Sequence, residues 1–178
     1  MKVYTTFFIG LIWVFFLGCD RIHTTMLLDY AEYAEHTMPI APLKEGRHTR
    51  ILNTTIEQYG ESIRLDKKTG IISLSPGSYN ISVSSTLTDS SMPAIVLKKG
   101  GYCLLRYVGV SDDEPIAIGS ISKTTKEAST IDTYFNTDVP VRIFLSYEVE
   151  DSLEKIKEQV KREKEQKMTF SHINIQQL

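Results

Sequence analysis

The sequence predicts an all-β fold, an antiparallel two-sheet sandwich, and three observations support this prediction. Two stretches alternate apolar and polar residues, which is the pattern of half-buried strands. Short apolar runs then recur between residues 51 and 149, separated by turns rich in glycine, proline, aspartate and serine. This region has no convincing helical period in its interior, so the pattern does not favour an α/β fold.

The two alternating stretches define the clearest strands. In the first, Tyr79, Ile81 and Val83 alternate with small polar residues. In the second, residues 141–149 place an apolar side chain at every other position. Because successive side chains of a strand point to opposite faces, each stretch should bury one face and expose the other. Phe144 breaks the second pattern, since it lies on the predicted outer face.

Seven shorter runs are the remaining strand candidates of this region. They are Ile51–Gln58, Ser62–Asp66, Gly70–Ser75, Ala94–Lys98, Cys103–Val108, Pro115–Ile121 and Thr130–Asn136. About nine strands at such short spacing are typical of a sandwich. Both a jelly-roll and an immunoglobulin-like topology satisfy this pattern.

The N-terminus has the features of a lipoprotein signal peptide. Lys2 precedes an apolar run, Val3 to Leu17, that has signal-peptide length and is shorter than a membrane-spanning helix. The sequence Phe16-Leu17-Gly18-Cys19 then resembles the lipobox of bacterial lipoproteins, with phenylalanine where that motif usually has leucine. The resemblance implies that residues 1–18 are removed and that Cys19 is acylated, for example with palmitate. An uncleaved anchor that ends in an ordinary cysteine is the alternative.

Residues 19–50 are predicted to form a lipidated tether with one short helix. Met26, Tyr30 and Tyr33 follow one another at the spacings of a helical face. Two prolines and a glycine between residues 39 and 46 end that pattern. Acylation would hold the mature chain at a membrane of the bacterial cell envelope.

Residues 151–178 are predicted to be a charged C-terminal helix and a tail. Leu153, Ile156 and Val160 form a short apolar stripe at helical spacing, and charged residues surround it. This helix would pack one end on the sandwich or lie at an oligomer axis. The last eleven residues, 168–178, would form an extra strand or a loose tail.

Composition and motifs exclude several functions. The 20 Lys and Arg residues are balanced by 22 Asp and Glu residues, which argues against a nucleic-acid binder. Two cysteines are too few for a disulfide framework or a cysteine-rich zinc site. No histidine pair, nucleophile elbow or phosphate-binding glycine loop is found. We therefore expect no enzyme activity, no metal and no cofactor.

Two turn sequences carry a resemblance to a known fold family. Thr69-Gly70 leads into one strand, and Pro76-Gly77-Ser78-Tyr79 turns into the next. Through these two turns and the strands that follow them, residues 51–150 resemble tumour necrosis factor-like and complement globular-head domains. The resemblance implies a homotrimer of jelly rolls in which outward aromatic residues fill the interfaces. Tyr102, Tyr134 and Phe144 are the candidates for such an interface.

Four segments and one function follow from these observations. The segments are the signal peptide 1–18, the tether 19–50, the sandwich 51–150 and the helix with its tail 151–178. The expected function is that of a membrane-anchored interaction module that binds a protein partner without catalysis. Binding of a carbohydrate or another small ligand on the same sandwich is the alternative.

Overall fold

Two antiparallel sheets form the fold, as the sequence predicts. The computed structural model describes residues 28–37, 46–87, 94, 96–109, 114–149 and 168–178. The strands within these residues are β1 (Tyr30–Thr37), β2 (Gly46–Thr49), β3 (Thr54–Tyr59), β4 (Ile63–Asp66), β5 (Ile71–Leu74), β6 (Gly77–Ser85), β7 (Val96–Tyr107), β8 (Ala117–Ile118), β9 (Ser122–Thr124), β10 (Ser129–Thr137), β11 (Val141–Val149) and β12 (Met168–Gln177).

Each sheet combines strands from early and late parts of the chain. The five-stranded sheet has the order β10-β6-β12-β1-β3. The seven-stranded sheet has the order β4-β5-β11-β7-β8, with β2 paired to β11 and β9 paired to β7. Strands from both ends of the chain therefore meet in the middle of the five-stranded sheet.

The core lies between the two sheets and contains the alternating residues that the sequence predicts. In β6, Tyr79, Ile81 and Val83 are buried. In β11, every second residue from Ile143 to Val149 is buried. These side chains belong to one apolar cluster, so both predicted strand faces are confirmed.

The predicted short helix is wrong where the structure describes the chain. Residues 30–37 form β1, which pairs with β12 on one side and β3 on the other. This pairing buries Ala31 and Tyr33 completely on the inner face. Tyr30, three residues before Tyr33, lies on the opposite face. Strand pairing with two neighbours overrides a helical pattern that is only a few residues long.

The C-terminal residues fill the centre of the five-stranded sheet. β12 lies between β6 and β1, and its Ile173 and Ile175 are fully buried. The extra strand that the sequence offers for residues 168–178 is confirmed, and a C-terminal helix is not supported. The helical pattern of residues 151–167 lies outside the described residues. Because β1, β2 and β12 are part of the sheets, the sandwich extends beyond residues 51–150 on both sides.

The sequence predicts two separate strands, Ala94–Lys98 and Cys103–Val108, with the turn sequence "KKGG" at residues 98–101 between them, and this break is wrong. β7 runs without interruption from Val96 to Tyr107. Gly100 has φ of 94°, where the pairing of β7 with β9 shifts its register. A glycine tolerates this backbone conformation, so the strand continues through the register shift. The short strand β9 has too few residues for an alternating pattern, which is why the sequence does not reveal it.

A buried ion pair joins the two sheets at one end. Arg50 Nη1 lies 3.4 Å from Oε2 of Glu35, and both side chains are less than one-tenth exposed. Glu35 belongs to β1, while Arg50 follows β2 of the other sheet. The guanidinium also stands 5.3 Å from the ring centre of Tyr147 and donates to the carbonyl oxygen of Thr86. Desolvation lowers the pKa of Arg50, and the Glu35 carboxylate opposes this effect.

Candidate functional site: the outer face of the five-stranded sheet

The three aromatic residues that the sequence proposes for an interface do not lie together. Tyr134 is on β10 of the five-stranded sheet and is 61% exposed. Tyr102 and Phe144 lie on β7 and β11 of the seven-stranded sheet, where both are half-buried. Tyr102 pairs with Glu148 of β11, which is four residues from Phe144. The two aromatic residues are therefore roughly 13 Å apart along the strands. Cys19 lies outside the described residues.

Tyr134 belongs instead to a row of side chains that crosses the whole five-stranded sheet. The cross-strand pairs link Tyr134, Asn80, Gln176, Tyr30 and Tyr59 in this order. We call these five residues the tyrosine row. All five point away from the core, because their strand neighbours supply the buried side chains. The row has an aromatic residue at one end, two amides in the middle and two aromatic residues at the other end.

The aromatic pair at one end of the tyrosine row is in contact. The ring centres of Tyr30 and Tyr59 are 6.4 Å apart with planes inclined at 39°. Tyr59 is more than half exposed, as is Tyr134 at the opposite end. The row therefore presents aromatic surface to the exterior at both edges of the sheet.

A second row runs beside the first and is acidic. It consists of Asp132, Ser82, Asn174, Glu32 and Glu57, linked by the same strand pairings. We call it the carboxylate row. The Glu57 carboxylate accepts a hydrogen bond from the Tyr59 hydroxyl at 2.7 Å. This hydrogen bond to the carboxylate raises the pKa of Tyr59.

Hydrogen bonds fix the middle of the face. Asn174 Nδ2 donates to the Tyr30 hydroxyl at 3.0 Å, and that hydroxyl donates to Glu32 Oε2 at 2.9 Å. His172 Nε2 lies 2.7 Å from the other oxygen of Glu32. The hydrogen bond with His172 is the main cause that lowers the pKa of Glu32, followed by the one from Tyr30. These contacts hold β1 against β12 on the exterior of the sheet.

This arrangement is suited to recognition through the exterior of the five-stranded sheet. Aromatic rings supply contact area at low entropic cost, and amides and carboxylates supply hydrogen bonds. Among the residues that the structure describes, no three His, Cys, Asp or Glu side chains gather as they would around a metal ion. The same part of the chain contains no helix that is both long and apolar enough to cross a membrane.

The sequence reveals only part of this face. The helical spacing predicts a helix at Tyr30, and Tyr59 lies one residue beyond the predicted strand Ile51–Gln58, so the sequence marks neither as an outward aromatic residue. The alternation of Ile173 and Ile175 with His172 and Asn174 was the available signal for β12. The rows themselves depend on which strands are neighbours, which no local pattern contains.

Comparison with known proteins shows relatives in fold only. No family model matches this sequence, and no curated protein does either. Similar solved structures are murine APRIL (TM-score 0.53, 8% identity, 85% of this chain and 99% of that chain), the globular domain of zebrafish complement 1qA (0.51, 11%, 85% and 97%) and the PRD1 vertex protein P5 (0.53, 12%, 85% and 96%).

These likenesses decide between the two sandwich topologies that the sequence left open. The three structures align over nearly their full length with this chain, although their sequences have little in common with it. They include a tumour necrosis factor-like domain and a complement globular head, both jelly rolls. The chain therefore has the jelly-roll fold.

Proposed function

We propose that this chain is a non-catalytic interaction module that assembles as a homotrimer through the outer face of its five-stranded sheet and is anchored to a membrane by lipid on Cys19. The observation that carries the proposal is the tyrosine row. Tyrosine is enriched at protein interfaces because it combines a large apolar ring with a hydroxyl that needs a partner.

The fold supports an interaction role. Tumour necrosis factor-like and complement globular-head domains are protein-interaction modules, and they share this jelly roll. Assembly through the five-stranded sheet would cover Tyr59 and Tyr134, which are otherwise exposed at the two edges of the face. It would leave the outer face of the seven-stranded sheet available to a protein partner.

Membrane anchoring rests on the N-terminal sequence alone. Eight residues lie between Cys19 and Leu28, the first described residue, so the lipid would lie within about 30 Å of the sandwich. Several acyl chains would hold the module firmly, because each buried methylene contributes about 0.8 kcal/mol. The bacterial cell envelope is the location that this anchor implies.

Two matched variants test the assembly face. Gln176→Arg places a charge in the middle of the tyrosine row, and Thr49→Arg places one on an exposed strand position of the other sheet. Sedimentation of the two variants should show monomers for Gln176→Arg and trimers for Thr49→Arg, since like charges would meet only in the first assembly. Dissociation of Thr49→Arg alone would move the interface to the seven-stranded sheet and contradict the proposal.

Cys19→Ser tests the anchor separately. The parent chain, expressed in a bacterium with labelled palmitate, should incorporate the label and partition into the detergent phase. The variant should incorporate no label. Equal detergent partitioning of the two chains without incorporation of label would show an uncleaved apolar anchor and would refute lipidation.

Carbohydrate binding is a second candidate, and the same face favours it. Aromatic rings with amides between them are the groups that a sugar ring stacks on and hydrogen-bonds with. This use requires an uncovered face, so it excludes trimer formation there. Saturable glycan binding by a monomer, lost on Tyr59→Ala, would support this candidate over the first.

A further inference from the structure

A groove of about 570 Å³ lies on the seven-stranded sheet, away from the tyrosine row. It is lined by parts of β4, β5 and β11 and by the residues that precede β4 and β11. The residues used below are Glu61, Arg64, Ser73 and Arg142, which all line it. A volume of this size is within the range of small-molecule sites.

The two arginines of the groove lie in one cross-strand row. Ser73 of β5 pairs with Arg64 of β4 on one side and with Arg142 of β11 on the other. Strand spacing places the two arginine backbones about 10 Å apart, with the serine hydroxyl between them. Because Leu74, next to Ser73, is buried in the core, the row points outward into the groove. Both guanidinium groups can therefore reach a single anion above Ser73.

Their charges are only partly compensated. Among the described residues, the Arg142 side chain has no hydrogen-bond or ion-pair partner. Arg64 Nη2 lies 3.0 Å from Glu61 Oε2, but both side chains are mostly exposed. Such an exposed pair contributes little free energy, so an anionic ligand can displace Glu61.

The neighbouring acidic residue is occupied elsewhere. Asp29 Oδ2 accepts hydrogen bonds from the backbone amides of Glu61 and Ser62 at 2.9 and 2.6 Å. The hydrogen bonds from Ser62 are the main cause that lowers the pKa of Asp29. This carboxylate therefore holds the backbone of Glu61 and Ser62, which line the groove, and does not neutralise Arg142.

We propose that this groove binds a phosphate ester, with Arg64 and Arg142 holding the phosphate from both sides and Ser73 donating a hydrogen bond from below. Arginine suits this role because its planar group donates two parallel hydrogen bonds to an oxyanion. The apolar side of the groove, formed by Pro140 and Val141, faces the organic part of the ester. The phosphate belongs to a soluble metabolite or to a lipid headgroup.

Titration of the full chain in non-ionic detergent with glycerol phosphate tests the site. Arg142→Gln should weaken binding by about tenfold or more, since a charge-assisted contact is lost. Glu61→Gln should strengthen binding, by up to about fivefold, because a competing carboxylate is removed. Arg47→Gln is the matched control, an exposed arginine that is ion-paired with Glu148 near the opposite end of β11. It should leave the affinity unchanged.

A second arm identifies the source of the phosphate. The full chain is reconstituted in phosphatidylcholine vesicles with or without phosphatidic acid, and amide hydrogen exchange is followed in β5 and β11. Additional protection with phosphatidic acid indicates a lipid headgroup, and binding of glycerol phosphate alone indicates a soluble ester. Absence of saturable binding in both arms, or an equal loss of binding in Arg142→Gln and Arg47→Gln, overturns the proposal. The titration with glycerol phosphate depends neither on trimer formation nor on the lipid at Cys19.

Discussion

Glu35 and Arg50 form an ion pair in which both charges are removed from water. Each is satisfied by more than its partner. Glu35 also accepts hydrogen bonds from Ser171 Oγ and from the backbone amide of Ile51. Arg50 also donates a hydrogen bond to the carbonyl oxygen of Thr86, and its guanidinium lies over the ring of Tyr147. Removing one partner would leave the other charged and buried.

We expect Glu35→Ala to lower the free energy of unfolding by about 3–5 kcal/mol, because it leaves the Arg50 guanidinium without a counter-charge. Glu148→Ala is the control, since its ion pair with Arg47 is partly exposed and should contribute only about 0–1 kcal/mol. Urea denaturation of both variants measures the difference. If the two variants are equally stable, the ion pair does not join the sheets as described.

Cys103 is the second residue whose surroundings determine its chemistry. Its thiol is buried, donates to the carbonyl oxygen of Ser129 at 3.4 Å, and has a pKa raised by desolvation. We expect alkylation of Cys103 to be slow in the folded chain and fast in denaturant, because the thiolate is the reactive form. Rapid labelling of the native protein, followed by mass spectrometry, would contradict this burial.

At the scale of elements, β12 determines whether the five-stranded sheet exists. It pairs with β6 along one edge and with β1 along the other, so its loss would separate the sheet into two parts. We expect a chain that ends at residue 167 to show neither cooperative unfolding nor protease resistance. Ile173→Ala should fold but lose about 2–5 kcal/mol of stability, and Asn174→Ala on the outer face should lose much less. A stable truncated chain would mean that the last residues are a dispensable tail.

The contact between β1 and β12 predicts a pH dependence. Glu32 has its pKa lowered below the ordinary 4.5 by the hydrogen bond with His172, so the folded state favours the ionised carboxylate. Its contribution to stability is therefore complete above pH 4.5 and is lost as the pH falls through the lower folded pKa. Melting temperatures of the parent chain and Glu32→Gln should differ above this pH and converge in acid. A difference that stays constant with pH would rule out this role for Glu32.

Strands with sustained alternation could be predicted from the sequence, and strands defined by their neighbours could not. β6 and β11 each have one apolar face, which a period of two reveals. β1 has a small, an aromatic and an acidic residue on its inner face, namely Ala31, Tyr33 and Glu35. The acidic residue is there because Glu35 is paired with the buried Arg50. The alternation of apolar and polar residues does not reveal β1, because one of its buried residues is charged and its ion-pair partner is distant in sequence.

At the scale of the whole molecule, the two sheets present different exteriors. The five-stranded sheet carries tyrosines, amides and carboxylates, and the seven-stranded sheet carries the arginine groove. The fold class was predictable because turns and alternation repeat along the chain. The candidate face was not, because it joins residues as far apart as Tyr30 and Gln176, which only the strand order makes neighbours.

The mass of residues 20–178 in solution, measured by light scattering over a range of concentrations, tests the central claim most directly. This segment contains every strand of both sheets and lacks the cysteine that would carry lipid. We predict a mass three times that of the protomer, which falls to one protomer in Gln176→Arg. A protomer mass at all concentrations would contradict assembly through the tyrosine row and would favour a monomer that uses the same face to bind a carbohydrate.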